Sequence, residues 1–323
     1  MSPKMKVFLT RLLPSEAMER LSALFDLSYN PQERQLKRKE IIRGAADKVG
    51  LISMLSDVID KEVIESCSSL KVISNYAVGF NNIDLKVATA KKIFVTNTPG
   101  VLTETTADLA WALILSIARR LIEADRLVRS RRWEGWAPTQ LLGNDVHGKT
   151  LGIIGLGRIG RAVASRAKGF SMKVLYHNRN RVEESVEREL NARSVALEDL
   201  LASADFLSLH VPLNSETHHL IGRHELLQMK PTSYLINTAR GPIVDEKALI
   251  EVLQQRRIAG AGLDVFEKEP RISPKLLRLK NVVALPHLGS ASIETRTQMG
   301  LIVAENLKAV AEGRIPPHQV NPF

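Results

Sequence analysis

Cysteine is almost missing from this chain: Cys67 is the only one in 323 residues. One thiol builds neither an internal disulfide framework nor a thiolate metal cluster, and it fits a reducing compartment. Aromatic residues make up 5%, and neither zinc-finger spacing nor the interleaved aromatics that stack bases occurs, so no nucleic-acid partner is expected. Long apolar runs are absent as well. The most apolar stretch, Leu109 to Ala118, is far too short to span a bilayer and starts beside Asp108. The opening Met1-Ser2-Pro3-Lys4-Met5-Lys6 runs straight into Val7-Phe8-Leu9-Thr10 without an apolar h-region, which predicts no signal peptide. There is no Walker loop and no nucleophile elbow. His218 and His219 are adjacent, so they are expected to point apart and to chelate poorly; no metal is expected. These absences predict a soluble, cytoplasmic protein.

What remains is ample for a core. Hydrophobic residues are 44% and charged residues 25%, which excludes disorder, and the length predicts about two domains. Lys and Arg number 45 against 35 acidic residues, a formal charge of +10. The densest cluster, Arg126, Arg129, Arg131 and Arg132, reads as a solvated helix end favoured by the macrodipole.

Short apolar runs alternate with helical patterns almost throughout. Strands are expected at Lys6–Thr10, Val49–Leu55, Lys71–Ala77 and Ile93–Thr96, with helices at Ser15–Phe25 (opened by a Ser N-cap), Asp60–Cys67 and Asp84–Lys92. A long helix is expected from about Thr103 to Arg131, then a loop from Gly135 to Gly148. Six further strands follow, at Thr150–Ile154, Lys173–His177, Asp205–His210, Ser233–Asn237, Gly260–Val265 and Val282–Leu285. Helices lie between most of them, for example Arg158–Phe170 and Asp245–Gln255. The final helix, about Ile293 to Glu312, is closed by Gly313 and should pack back on the first domain. Alternation of this kind calls for α/β architecture with parallel, doubly wound sheets.

Gly155-Leu156-Gly157-Arg158-Ile159-Gly160 is a G-x-G-x-x-G motif placed between an apolar strand and a helix. Glycines there let the backbone turn sharply and approach a pyrophosphate held at the helix N-terminus. A coenzyme NAD would call for a carboxylate at the end of the next strand, to accept from the ribose 2′-hydroxyl. The strand instead ends Tyr176-His177-Asn178-Arg179-Asn180-Arg181. Asn178 and Asn180 can donate, and Arg179 and Arg181 can neutralise a 2′-phosphate, so NADPH is the expected coenzyme, with NADH possible.

Arg240, Glu269 and His287 fall where strands of the second sheet should end. On spacing alone each is an ordinary residue. Together they are the three groups that reduction of a keto acid requires. A cation holds the carboxylate and polarises the ketone, a donor titrating near neutrality supplies a proton, and a carboxylate orients that donor.

The motifs carrying these residues resemble the D-2-hydroxyacid dehydrogenase family along nearly the whole chain. They are Asn75-Tyr76-Ala77-Val78-Gly79-Phe80-Asn81-Asn82-Ile83-Asp84, Thr96-Asn97-Thr98-Pro99-Gly100, the glycine loop, Asn237-Thr238-Ala239-Arg240-Gly241, Gly262-Leu263-Asp264-Val265-Phe266 and Pro286-His287. The glyoxylate/hydroxypyruvate reductase branch is the most similar, since it also lacks the acidic ribose residue. The resemblance implies a Rossmann-type dinucleotide-binding domain, 99–289, inserted into a flavodoxin-like substrate domain, 1–98 and 290–323, with the active site in the cleft. It implies that Arg240 binds substrate, that Glu269 pairs with His287 and that His287 donates the proton. Backbone groups of Val78 and Gly79 would hold the substrate carboxylate, with Ser53 to Leu55 as another wall. Coenzyme contacts would come from Gly155, Gly157, Arg158, Ile159, Gly160, Asn178, Arg179, Asn180, Thr238, Ala239, Arg240, Asp264, His287 and Gly289. A homodimer held by the long helix after Pro99 is implied too. In several reductases of the branch a tryptophan stands at the position matching Gln140 and reaches the partner's substrate pocket; Trp136 matches a different one. The activity so implied is NADPH-dependent reduction of a small anionic 2-oxo acid, glyoxylate or hydroxypyruvate. Alternatives are an NAD-dependent dehydrogenase of another D-2-hydroxy acid (lactate, 3-phosphoglycerate or a bulkier one) and a dinucleotide-sensing corepressor that binds partner peptides. Retention of Arg240, Glu269 and His287 favours turnover.

Overall fold

Strands of this chain pair in parallel throughout both of its sheets. The computed structural model describes residues 3–323; Met1 and Ser2 lie outside the described residues. The chain divides into two units, the first running up to Leu102 and again from Ser290 to Phe323, the second covering Thr103–Gly289.

In the first unit β1 (Lys6–Leu9), β2 (Asp26–Tyr29), β3 (Gly50–Met54), β4 (Val72–Tyr76) and β5 (Phe94–Thr96) lie in the order β2-β1-β3-β4-β5. This is the flavodoxin-like order. β3 and β4 are buried at every residue, as strands covered on both faces must be. Ile41, Val63, Ile64 and Ala88 from three helices cover one face. Ala17 and Leu21 of the helix Ser15–Leu24, with Met299, Val303 and Leu307 of the helix Ile293–Ala311, cover the other. These two helices cross closely: a Cβ on Gly300 would stand 2.3 Å from that of Ala17.

In the second unit β6 (Thr150–Ile154), β7 (Lys173–His177), β8 (Ala192–Ser194), β9 (Phe206–Leu209), β10 (Tyr234–Asn237), β11 (Gly260–Leu263) and β12 (Val282–Ala284) take the order β12-β11-β10-β9-β6-β7-β8. That is the dinucleotide-binding order with one added edge strand. Ile154 is in register with His177 and Leu209, Asn237 with Leu209 and Leu263, and Leu263 with Ala284. The carboxyl ends of these strands therefore form one edge.

Four expectations need correction. The second sheet has seven strands, because Ala192–Ser194 adds a short edge strand. The long helix is broken: one helix ends at Ala118, Arg120 adopts a left-handed φ of 53°, and a second runs Leu121–Arg129. Arg120 closes that break by donating to both oxygens of Glu123, at 2.9 and 2.7 Å. Ser15 is not the N-cap; Pro14 is, and no side chain caps that helix. The His218 and His219 rings do not diverge but lie 4.0 Å apart, with His219 at a φ of 52°. Strand β2 and the helix Arg38–Ala45 were not anticipated.

Candidate active site

The glycine loop follows β6 directly. Gly155 has φ +97°, and a Cβ there would lie 2.7 Å from the His210 carbonyl oxygen, so only glycine fits beside the end of β9. A Cβ on Gly160 would meet the Gly155 oxygen at 2.2 Å, which brings the helix Arg158–Ala167 down on the loop. Gly157, the N-cap of that helix, has open space where its side chain would be. Arg158 and Ile159 form the helix's first turn. The loop thus offers a phosphate group a glycine-lined helix N-terminus.

Beyond β7 the polar residues divide their work. Asn178 accepts from the Leu156 N–H at 2.7 Å through Oδ1, so its amide NH2 is the group left for a ligand. Arg181 donates to both oxygens of Glu187, which also accepts from Tyr176 Oη at 2.6 Å. These bonds hold the Glu187 carboxyl down at about 2 and commit Arg181 to the fold, which withdraws it as a phosphate ligand. Arg179 and Asn180 stay on the surface, and Arg179 Nη1 pairs with Glu216 Oε2 at 2.9 Å. Such exposed pairs are weak and exchangeable.

Glu269 and His287 meet as expected, Nδ1 lying 2.8 Å from Oε2. Glu269 Oε1 accepts from the Phe266 N–H at 2.9 Å. Burial pushes the Glu269 carboxyl up, but the His287 hydrogen bond and charge, the Phe266 N–H and the Arg240 charge outweigh it. The group sits below the ordinary carboxylate range and is ionised at neutral pH. An ionised carboxylate on Nδ1 makes that nitrogen the donor to Glu269 and leaves Nε2 for chemistry. Arg240 is pushed down by burial and pushed back by Glu269, but a guanidinium stays charged. Its Nη1 donates to the Ala239 oxygen at 2.7 Å. Buried Asn237 braces the turn, accepting from the Ala239 N–H and donating to the Arg240 oxygen, both at 3.0 Å. The next residue locks this turn onto its neighbour. A Cβ on Gly241 would stand 1.9 Å from the Phe266 carbonyl carbon and oxygen.

His287 has φ +56°, a left-handed conformation that costs a non-glycine residue about 1–2 kcal/mol. Asp264 holds it there. Its backbone oxygen accepts from the His287 N–H at 2.9 Å, and its side chain accepts from the N–H groups of Leu288 at 2.6 Å and Gly289 at 2.8 Å. The Gly289 oxygen accepts in turn from Thr106 Oγ1 at 2.9 Å. Burial pushes the Asp264 carboxyl up against those backbone bonds. Asp264, expected as a coenzyme contact, therefore also positions the histidine.

In the first unit an asparagine network shapes the loop after β4, which sequence reasoning had not resolved. The Ala77 oxygen accepts from the Thr98 N–H at 2.9 Å, the Val78 oxygen from Asn97 Nδ2 at 2.8 Å, and the Gly79 oxygen from Asn75 Nδ2 at 2.8 Å. A trans peptide points its N–H opposite to its carbonyl. Anchoring the Ala77 and Val78 oxygens thus fixes the N–H groups of Val78 and Gly79 on the opposite side. Asn82 ties the loop to β3 by donating to the Met54 oxygen at 3.1 Å, next to Leu55. Gln140 lies exposed in the loop after the helix Leu121–Arg129.

One atom tests whether a dinucleotide suits the second unit. Thr238 Oγ1, at the carboxyl end of β10, is buried without a hydrogen-bond partner, so it is open to a ligand or an ordered water. With the open cradle at Gly157, the residues fit. Among the described residues no group of three or more His, Cys, Asp or Glu could hold a metal ion.

The sequence profile of the D-isomer specific 2-hydroxyacid dehydrogenase NAD binding domain matches residues 111–289. The chain belongs to that family. The glyoxylate reductase of Korarchaeum cryptofilum is 52% identical over 321 residues, 98% of this chain and 96% of that one. The glyoxylate reductase of Pyrococcus horikoshii is 51% identical over 322 residues, again 98% and 96%. Among solved structures, an NADPH-dependent glyoxylate/hydroxypyruvate reductase from Sinorhizobium meliloti, in complex with NADP and malonate, superposes with a TM-score of 0.89 at 34% identity, covering 99% of this chain and 98% of that one. This D-2-hydroxyacid dehydrogenase is thus an oxidoreductase of 2-oxo acids with a nicotinamide dinucleotide as coenzyme.

Proposed function

We propose that the enzyme reduces glyoxylate or hydroxypyruvate with NADPH, and that Arg240, Glu269 and His287 carry the reaction. The observation that bears most of this reading is the 2.8 Å bond from His287 Nδ1 to an ionised Glu269, with the charge of Arg240 acting on the same carboxylate. When bound, the coenzyme supplies the hydride that turns the 2-oxo carbonyl carbon into an alcohol carbon. His287 Nε2 gives its proton to the carbonyl oxygen as negative charge builds there, and Glu269 steadies the ring through Nδ1. Arg240 binds the substrate and polarises its carbonyl. The N–H groups of Val78 and Gly79 hold the substrate carboxylate, with Leu55 beside them; their carbonyls are anchored, so no reorganisation accompanies binding. The first unit is accordingly the substrate domain.

NADPH is preferred because Arg179 and Asn180 stand exposed where a carboxylate would repel the 2′-phosphate. Gly155, Gly157, Arg158, Ile159 and Gly160 take the pyrophosphate, Asn178 the ribose, and Thr238, Ala239, Asp264 and Gly289 the nicotinamide side. We also propose a cytoplasmic homodimer. In its support, the helix Leu121–Arg129 has no buried residue, while Val128, Trp133, Trp136 and Leu142 are exposed at 53–82%; exposed apolar surface of this kind marks an interface. No described helix is long and apolar enough to cross a membrane. Loss of NADPH and of NADH absorbance, followed against a panel of 2-oxo acids, tests the reading. A lower KM for NADPH and the highest kcat/KM on glyoxylate or hydroxypyruvate are expected. Turnover confined to NADH, or to a bulky keto acid, would replace it with the NAD-linked alternative.

A further inference from the structure

Arg11 follows β1 at the carboxyl edge of the first sheet. From β1 the chain passes outward to β2 and then returns to β3 on the other side, so β1 and β3 flank the point where strand order reverses. Open α/β sheets bind ligands at such points. The Arg11 Nε is buried without a hydrogen-bond partner, and among the described residues no carboxylate lies within ion-pair distance of its guanidinium. The nearby anion, buried Asp57, is engaged elsewhere: its Oδ2 accepts from Thr10 Oγ1 at 2.5 Å and from the Met54 N–H at 2.8 Å. Burial pushes the Asp57 carboxyl up, while those two bonds and the Arg11 charge pull it back. A guanidinium with a buried N–H and no acceptor is costly unless an anion arrives.

We propose that Arg11 receives a second anionic group of the substrate, so that the enzyme also reduces 2-oxo acids bearing a distal carboxylate or phosphate. The inference rests on the reading that Val78 and Gly79 hold the substrate's own carboxylate. Those residues follow β4, two strand spacings or about 10 Å from β1, and Leu55, which follows β3, lies between. A 2-oxo acid anchored at Val78 and Gly79 carries its tail past Leu55, 37% exposed, toward Arg11. Glyoxylate has no tail and does not reach it.

The test compares the parent with Arg11→Gln and Arg11→Lys. Initial rates with NADPH are taken on glyoxylate, oxaloacetate and 3-phosphohydroxypyruvate, and calorimetry follows binding of malonate, a dianion with no ketone to reduce. Arg11→Gln should lower kcat/KM on a dianionic substrate by about tenfold or more, the worth of a lost charge-assisted hydrogen bond, and leave glyoxylate within about twofold. Arg11→Lys should recover part of the loss, and malonate should bind the Gln variant about tenfold more weakly. A selective loss on oxaloacetate assigns the distal carboxylate, and one on 3-phosphohydroxypyruvate the phosphate. Equal losses on glyoxylate and the dianions overturn the inference, as does malonate binding that ignores Arg11. If the parent reduces no 2-oxo acid, the proposed function falls, and calorimetry still decides whether Arg11 is an anion site.

Discussion

Replacing Glu269 with Gln isolates the charge behind the proposed proton donor while keeping its shape. In the parent, Oε2 faces His287 Nδ1 at 2.8 Å and Oε1 accepts from the Phe266 N–H at 2.9 Å. An amide that keeps the Phe266 bond through its oxygen turns its NH2 toward Nδ1. The imidazole must then accept at Nδ1, and a protonated ring finds a donor where it had a carboxylate. Loss of a charge-assisted hydrogen bond is worth about 1.5–3 kcal/mol, or about 10- to 150-fold in rate at 1.4 kcal/mol per factor of ten. The reductive kcat should fall by that amount, with coenzyme affinity unchanged. The pH profile should change at its acid end. Glu269 is held below the ordinary carboxylate range, so parental activity persists to low pH and fails only as that depressed group protonates; the variant has no such limb. Stopped-flow rates across pH, with coenzyme binding followed by protein fluorescence, measure all of this. A Gln variant with the parental rate and profile would refute the role given to Glu269.

Arg240→Ala should depress kcat/KM through substrate binding and carbonyl polarisation together; steady-state kinetics in which only coenzyme affinity suffers would contradict this. Arg179→Ala should weaken NADPH by about 1–3 kcal/mol and hardly move NADH, and equal losses in a fluorescence titration would mean that Arg179 serves the fold. Gly241→Ala places a methyl on the Phe266 carbonyl, so either melting temperature or activity should drop sharply; a variant matching the parent in both would show that the two turns need not be in contact. Gln140→Trp should shift the ratio of kcat/KM between hydroxypyruvate and pyruvate if this exposed residue serves a partner's pocket, whereas an unchanged ratio places it outside.

Much of the fold could be read from the sequence because buried parallel strands are short, continuous apolar runs. β3, β4, β9 and β10 are buried at every residue and were all anticipated. The strands that escaped lie at sheet edges. β2 is Asp-Leu-Ser-Tyr with no fully buried residue, and β8 is Ala-Arg-Ser, neither with an apolar pattern to detect. The helix break at Arg120 carries no glycine or proline; a side chain hydrogen-bonded to Glu123 stabilises the left-handed turn. The Glu269–His287 pair was legible as residue types after strand ends. Its supports were not, because Asp264 and Leu288 are 24 residues apart and Gly241 matters only against the backbone of Phe266. Arg181 shows the opposite limit. Its charge advertised a phosphate ligand, but the acceptor is Glu187, six residues away.

His287→Ala addresses the central claim most directly. NADPH oxidation with saturating glyoxylate is measured for parent and variant, alongside NADPH binding. Removing a positioned acid should lower kcat by about 10²–10⁴-fold and leave NADPH affinity nearly unchanged. A variant that reduces glyoxylate at the parental rate would show that the proton comes from elsewhere.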